Sequence, residues 1–445
     1  MLRRFIGNLK LSSAFVALPG ALAVLSGCNA APEKPPATEF AMNSAKHCTA
    51  ADGVRKISVP LYPDRSDSPV FTYSYKLFPS STASAPTIVV LPGGPGGTLL
   101  DRNPNEAYAD GAIPTNRFNI IYTDPRGAGC NQLSQGEFPS DSFRTEYLAN
   151  DVARMIQTEN LAHYSIFGAS FGTVLATYTF HRIEELGLPT PKAVVLEGTL
   201  GKGVPGKFDE YIGGFAAEWQ RIQTRIPSAM ANLFSGAALP LGFSAQVWGQ
   251  YFYKPLILGE APGYGPLFQA ELRPLLTGDV AGTARLKAKL QAYADLLRQP
   301  PSARMNRLFQ TLGCQELFGS WRSEILLENG TLMPGGDDIC EGFSYDPYDS
   351  AKLRISAPIY YFQGPFDPAT PWASARYHYE NQKNAKRSFI TVSGASHAPL
   401  TLSLKVLGCS DSIWKQIDES TDTSTLSTVG CQGWKIDVES KPVGE

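Results

Sequence analysis

Gly168-Ala169-Ser170-Phe171-Gly172 sets a serine between two glycines, directly after the apolar run Ser165–Phe167 and before residues with helical spacing. Glycine on each side lets a strand turn sharply into a helix and lifts the hydroxyl to the edge of a sheet, where it can attack a carbonyl. A hydroxyl is a poor nucleophile near neutral pH and needs a base, normally a histidine oriented by a carboxylate. The chain has five histidines. His47 precedes the first expected strand, and His163 precedes the strand that leads into Ser170, at its far end. His181 lies roughly three turns down the helix that follows Ser170. His378 falls in an expected helix, Ala373–Asn381, as a packing or surface residue. His397 remains, in a loop directly after the apolar run Ser388–Val392. Parallel sheets place their active sites in loops of that kind, at the carboxyl ends of strands. Asp367 follows the run Pro358–Phe362 in the same way and is the expected acid, although a helix N-cap role for it is the plain alternative. Asp346 and Asp349 precede that run and belong to its other end.

Attack on a carbonyl develops an oxyanion, which needs preorganised N–H donors; losing one costs ~10²–10³ in rate. Phe171 is expected to supply one amide. Leu91-Pro92-Gly93-Gly94-Pro95-Gly96-Gly97, after the run Thr87–Leu91, is expected to supply the other, from Gly94 first and Gly93 second. A phosphate-cradling use of these glycines needs G-x-G-x-x-G or a P-loop Lys-Ser/Thr, and neither is present. There is no H-E-x-x-H and the histidines are dispersed, so no metal and no cofactor are expected.

The elements that would hold these residues follow from periodicity. Arg55–Leu61 and Val70–Phe78 read as an antiparallel hairpin, since Phe71, Tyr73, Tyr75 and Leu77 alternate with smaller or polar residues. Short apolar runs at Thr87–Leu91, Asn119–Thr123, Ser165–Phe167 and Ala193–Leu196 then alternate with helical stretches, such as Leu148, Val152, Met155 and Ile156. Such alternation implies a mostly parallel sheet with helices on both faces. From Gly201 to about Tyr345 the pattern is helical, as with Leu286, Leu290, Tyr293 and Leu297, and shows no clear strand. The expected organisation is a core over 48–200 and 346–408, a helical cap over 201–345 inserted between them, and a tail over 409–445 that the pattern does not place.

The first residues read as an address. Arg3, Arg4 and Lys10 precede an apolar run over residues 11–25, too short to span a bilayer comfortably. Leu25-Ser26-Gly27-Cys28 resembles the lipobox of bacterial lipoproteins, so 1–27 is expected to be a signal peptide and Cys28 the lipidated residue. Two acyl chains give a stable anchor where one is marginal. Asn29 lacks the Asp associated with inner-membrane retention, which points to the outer membrane, facing the periplasm or the cell surface. Residues 28–47, with Pro32, Pro35 and Pro36, would form an extended tether. Of seven cysteines, six remain after Cys28, an even number suited to an oxidising compartment. The expected pairing is sequential: Cys48–Cys130, Cys314–Cys340 and Cys409–Cys431.

Composition sets the outer bounds. The 445 residues carry 39 Lys plus Arg against 41 Asp plus Glu, a net charge of −2, so the counterion-release term that drives nucleic-acid binding is missing and no nucleic-acid partner is expected. Charged residues are 18%, while 41 Gly and 34 Pro exceed their usual shares, which describes a loop-rich globular chain and excludes a coiled coil.

The order Ser170, Asp367, His397 is the chain order of α/β-hydrolases. The core further resembles the α/β-hydrolase serine peptidases that include prolyl and tripeptidyl aminopeptidases. The resemblance rests on Gly93-Gly94-Pro95-Gly96-Gly97, Asp124-Pro125-Arg126-Gly127-Ala128-Gly129, Gly168-Ala169-Ser170-Phe171-Gly172, Phe366-Asp367-Pro368-Ala369-Thr370-Pro371 and Ser396-His397. It spans residues 91 to 397, without a match in the cap. Pro92 stands where prolyl enzymes usually carry His, which is closer to the tripeptidyl type. The resemblance implies a structural Arg126 that holds the turn beside the active-site loop. It also implies a charged residue after the strand that follows the nucleophile helix, here Glu197. Glu197 is expected either to receive a substrate's α-ammonium group or to pair with an Arg of the core. Glu316, Glu324 and Glu341 are further amine-binding candidates, and Trp219, Trp248 and Trp321 either line the pocket or form the insertion's own small core.

The expected activity is a serine aminopeptidase that releases short amino-terminal pieces from peptide substrates through an acyl-enzyme. An esterase or lipase with the same machinery and a non-catalytic envelope binding protein on the same scaffold are the alternatives. Oligomeric state is not legible.

Overall fold

A computed structural model describes residues 48–445 except 83, 101–111, 133–137, 204–216, 218, 221–227, 235–237, 259–270, 300–306, 321, 329–330, 406–407, 421–422, 424–425 and 427–435. The expected signal peptide, Cys28 and the expected tether therefore lie outside the described residues.

The core is one sheet with strand order β1 (Val54–Pro60), β2 (Val70–Phe78), β4 (Asn119–Thr123), β3 (Thr87–Leu91), β5 (Tyr164–Ala169), β6 (Val194–Glu197), β9 (Ile359–Gln363), β10 (Arg387–Val392) and β11 (Ile436–Lys441). Strands β4, β3, β5, β6, β9 and β10 run parallel, while β1, β2 and β11 are antiparallel to their neighbours. Each expected core strand forms within one or two residues of its predicted bounds, because β-branched and aromatic residues buried on both faces leave little freedom in register.

Alternation along a single strand separates the two layers. In β3, Val89 and Leu91 face one apolar cluster while Ile88 and Val90 face the other. The first layer is closed by α1 (Thr145–Thr158) and α2 (Phe171–Glu185), through Leu148, Val152 and Met155 of α1 and Val174, Leu175 and Phe180 of α2. The second is closed from the tail, where a helix over Ser410–Glu419 inserts Trp414 between Phe118 and Phe167 at ring separations of 6.0 and 5.8 Å. The tail that periodicity left unplaced thus supplies both a covering helix and the edge strand β11.

Between β6 and β9 lie a helix over Ala245–Leu258, designated α3, and α4 (Val280–Leu297). Trp219, Trp248, Phe234, Phe252, Leu286 and Leu290 pack into a cluster of their own. The expectation of no strand in this region is overturned by the antiparallel pair β7 (Arg322–Glu328) and β8 (Thr331–Asp338). Arg322–Glu328 has one β-branched residue, Ile325, among Leu, Glu and Arg that favour helix, and Pro334, Gly335 and Gly336 in its partner mask the period-two signal.

Cys48–Cys130 and Cys314–Cys340 are disulfides with Cα separations of 5.4 and 5.0 Å. Cys409 is also disulfide-bonded, and Cys431 lies outside the described residues.

Candidate active site

Strand β5 ends at Ala169 and helix α2 begins at Phe171, leaving Ser170 alone in the turn at φ 56°, ψ −124°. That backbone conformation is rare for a residue with a Cβ and persists only where its surroundings fix it. The Ser170 amide donates to the carbonyl of Glu197 at 2.8 Å, and its carbonyl accepts from the Thr173 amide at 2.9 Å and the Thr173 hydroxyl at 2.7 Å. Serine before a helix ordinarily turns its hydroxyl onto the helix's first amides. Ser170 does not. The flanking glycines are required by contact: a Cβ on Gly168 would run into the carbonyl of Gly172, and one on Gly172 into the carbonyl of Leu91.

Asp367 and His397 meet from the loops after β9 and β10. Nδ1 of His397 lies 3.0 and 2.9 Å from the two carboxylate oxygens of Asp367. The carboxylate also accepts from the amides of Ala369 and Thr370, both at 2.9 Å, and from the side-chain amide of Gln363 at 3.2 Å. The Thr370 hydroxyl donates to the same carboxylate. His397 is 2% exposed, and its Nε2 has no hydrogen-bond partner among the described residues. Burial alone would lower the pKa of this imidazole, but the Asp367 carboxylate, by charge and hydrogen bond, and then the charge of Glu197 raise it above the ordinary histidine value.

Gly93, in the loop after β3, stands against the serine: a Cβ built on it would lie 3.1 Å from Cβ and 3.7 Å from Oγ of Ser170. Gly94, at φ 125°, leads through a cis bond into Pro95. Phe171 is the first residue of α2, and an amide in that position has no acceptor within its own helix. Ser170, Gly93, Glu197, Asp367 and His397 all lie at the carboxyl ends of parallel strands, on β5, β3, β6, β9 and β10 in that order.

A family model described as alpha/beta hydrolase fold matches residues 86–272. The chain has the α/β-hydrolase fold. Its similarity to solved structures is distant. Over 83% of this chain and 100% of the other, it is 13% identical to a proline iminopeptidase of Mycobacterium smegmatis, with a TM-score of 0.41. An esterase of Thermogutta terrifontis is 12% identical over 82% of this chain and 100% of its own, with a TM-score of 0.42. A bromoperoxidase of Bacillus anthracis is 13% identical over the same shares, with a TM-score of 0.43. No curated protein sequence matches the chain.

Elsewhere in the fold the sequence candidates divide. Glu197, expected at the substrate's amine or against a core Arg, pairs with no Arg among the described residues. It is 1% exposed, with Oε1 accepting from the amides of Leu400 and Thr401 at 2.7 and 2.8 Å and Oε2 from the Thr401 hydroxyl at 2.8 Å. Glu316 accepts from the amide and hydroxyl of Thr145 and so closes the amino end of α1, where the helix dipole favours negative charge. Glu341 is exposed, and the side chain of Glu324 and all of Trp321 lie outside the described residues. Trp219 and Trp248 belong to the insertion's own cluster.

The other histidines are accounted for. His163 is exposed at the amino end of β5, and His181 pairs with Glu185 at 3.3 Å on the surface of α2. His378 is buried between the hydroxyls of Thr177 and Tyr361, and burial lowers its pKa to about 3. His47 lies outside the described residues. Arg126 is fully buried, with Nη2 and Nε 2.6 and 2.8 Å from the oxygens of Asp151 and further bonds to the carbonyls of Leu61 and Pro60.

Sequence reasoning missed Thr370, Gln363 and the carbonyl of Ile257, which accepts the main-chain amide of His397 at 3.1 Å. The first had a signal, a hydroxyl three residues after an aspartate. A main-chain carbonyl in a distant helix has none.

Proposed function

We propose that this chain is a serine hydrolase working through an acyl-enzyme, with short peptides, cleaved from the amino end, as its substrates. The observation that carries the reading is the Asp367-held imidazole, whose buried Nε2 has no hydrogen-bond partner among the described residues, together with a Ser170 whose hydroxyl makes no capping bond to its own helix. Ser170 Oγ attacks the carbonyl carbon and its proton passes to Nε2 of His397. Asp367 holds the other ring proton on Nδ1, which keeps Nε2 an acceptor. The amides of Phe171 and Gly94, or Gly93 in its place, receive the developing oxyanion. Collapse breaks the C–N bond, His397 returns the proton to the leaving amine, and water repeats the sequence to release the acid.

A second reading, hydrolysis of acyl esters, is favoured by one observation: the carboxylate best placed to receive an amine, that of Glu197, is engaged by Leu400 and Thr401. Labelling of the purified protein by a fluorophosphonate, located on Ser170 by mass spectrometry, tests the shared chemistry; no labelling refutes it. The ratio of kcat/KM for aminoacyl arylamides to that for simple esters then separates the two substrates. We further propose attachment to the bacterial envelope through a lipid on Cys28, which the mass of the mature amino-terminal peptide tests.

A further inference from the structure

We infer that Glu197 is a positioning residue that sets the reach of His397 toward Ser170. The inference rests on the serine-hydrolase reading and deepens it. Residues 197 and 198 touch both partners of the proton transfer. The carbonyl of Glu197 accepts the Ser170 amide at 2.8 Å, which pins the strained turn of the nucleophile to the end of β6. The side chain of the same residue takes the amides of Leu400 and Thr401 and the hydroxyl of Thr401, which pins the chain three and four residues after His397. Gly198 closes the gap between them: at φ +60°, a Cβ there would lie 2.9 Å from Cε1 of the His397 ring. The distance between hydroxyl and imidazole is therefore set through one residue with two acceptor groups.

The other restraints on His397 act elsewhere. Asp367 fixes the ring about Nδ1, and Ile257 holds the main-chain amide. Neither restrains the following turn, Pro399–Leu404, whose first free amides are the ones that Glu197 accepts. A buried carboxylate is a strong acceptor because charge-assisted bonds are about twice as strong as neutral ones. Burial raises its pKa to about 7, opposed by the Thr401 and Leu400 bonds and by His397. The charged groups facing His397 among the described residues are Asp367, from the loop after β9, and Glu197, from the end of β6.

Three variants test this. Glu197→Ala removes all three acceptor contacts and is expected to lower kcat about 100-fold, the scale of an ångström-sized displacement of a catalytic group, with KM within about twofold. Glu197→Gln keeps an acceptor oxygen for the two amides but removes the charge. It is expected to recover most of kcat and to move the acid limb of kcat/KM to lower pH, because a negative neighbour of the imidazole is gone. Thr401→Val removes one donor and is expected to lower kcat several-fold, so the inference stays testable if the alanine variant does not fold. Losses must be equal for peptides with free and acetylated amino termini. A loss confined to free amines, carried by KM, overturns positioning in favour of amine recognition. An unmoved acid limb in Glu197→Gln together with unchanged kcat in Thr401→Val overturns it outright. Absence of fluorophosphonate labelling in the parent protein is a separate result, which removes the serine-hydrolase reading itself.

Discussion

The hydroxyl of Thr370 lies 3.2 Å from Nδ1 of His397 while donating to the carboxylate of Asp367. With Gln363 and the amides of Ala369 and Thr370, it leaves Asp367 bonded on all sides, so the carboxylate has one orientation to offer the imidazole. Replacing it by an amide of the same shape keeps the packing but presents an N–H where an acceptor is needed. Asp367→Asn is therefore expected to lower kcat by about 10³–10⁴ by stabilising the wrong tautomer of His397. The rate of fluorophosphonate inactivation should fall in parallel, with the circular-dichroism spectrum unchanged. An unaffected rate means that Asp367 does not orient the base.

The pH profile follows from the same neighbours. Burial pulls the His397 pKa down, yet the charges of Asp367 and Glu197 bring it above the ordinary value of 6.5. The imidazole works as a base only when neutral, so kcat/KM is expected to rise with pH through a midpoint above 6.5, and to be low below it. A pH–rate series between pH 5 and 9 reads the midpoint directly; one well under 6 contradicts the arrangement of charges.

Gly198 offers a steric test. Alanine there brings a Cβ to 2.9 Å from both Cε1 and the carbonyl oxygen of His397, at a φ of +60° that disfavours any side chain. The ring or the loop must shift. We expect Gly198→Ala to lower kcat about 100-fold and to lower stability by about 1–2 kcal/mol. Thermal melts beside steady-state kinetics separate the two effects; full activity with a displaced melting point would show that the ring has room to spare.

Why some of this was legible is a matter of how locally each feature is encoded. The elbow at Ser170 is written in five consecutive residues, because two glycines are the only way for β5, α2 and the end of β3 to pass so closely. The loops of Asp367 and His397 were found because each follows a run of apolar residues, and the sheet turns that order into a shared edge. The contacts of Glu197 were not legible for the opposite reason. Its partners, Leu400 and Thr401, lie about 200 residues away and contribute mainly backbone amides, which no side-chain pattern marks. The β7–β8 pair escaped because Pro and Gly interrupt its second strand. The tail helix escaped because its apolar face, Ile413, Trp414 and Ile417, is short and has meaning only against a sheet already formed.

Arg126 and Asp151 supply the last test, on the architecture beneath the site. Both side chains are fully buried, and the guanidinium bridges α1 to the turn after β4, with carbonyls of residues 60 and 61 as further acceptors. Removing one partner strands the other charge in the interior, a loss of about 3–5 kcal/mol, whereas removing both leaves no unpaired charge. Asp151→Ala is accordingly expected to lose about that much in urea unfolding. The double variant Arg126→Met with Asp151→Leu should lose less than the two single variants combined, although not recover fully, because the carbonyls that Arg126 serves lose their donor. Fluorophosphonate reactivity of the folded fraction should stay within a few-fold of the parent, since neither residue touches Ser170 or His397. Strict additivity of the two losses would mean that the pair is not the coupled unit its geometry describes.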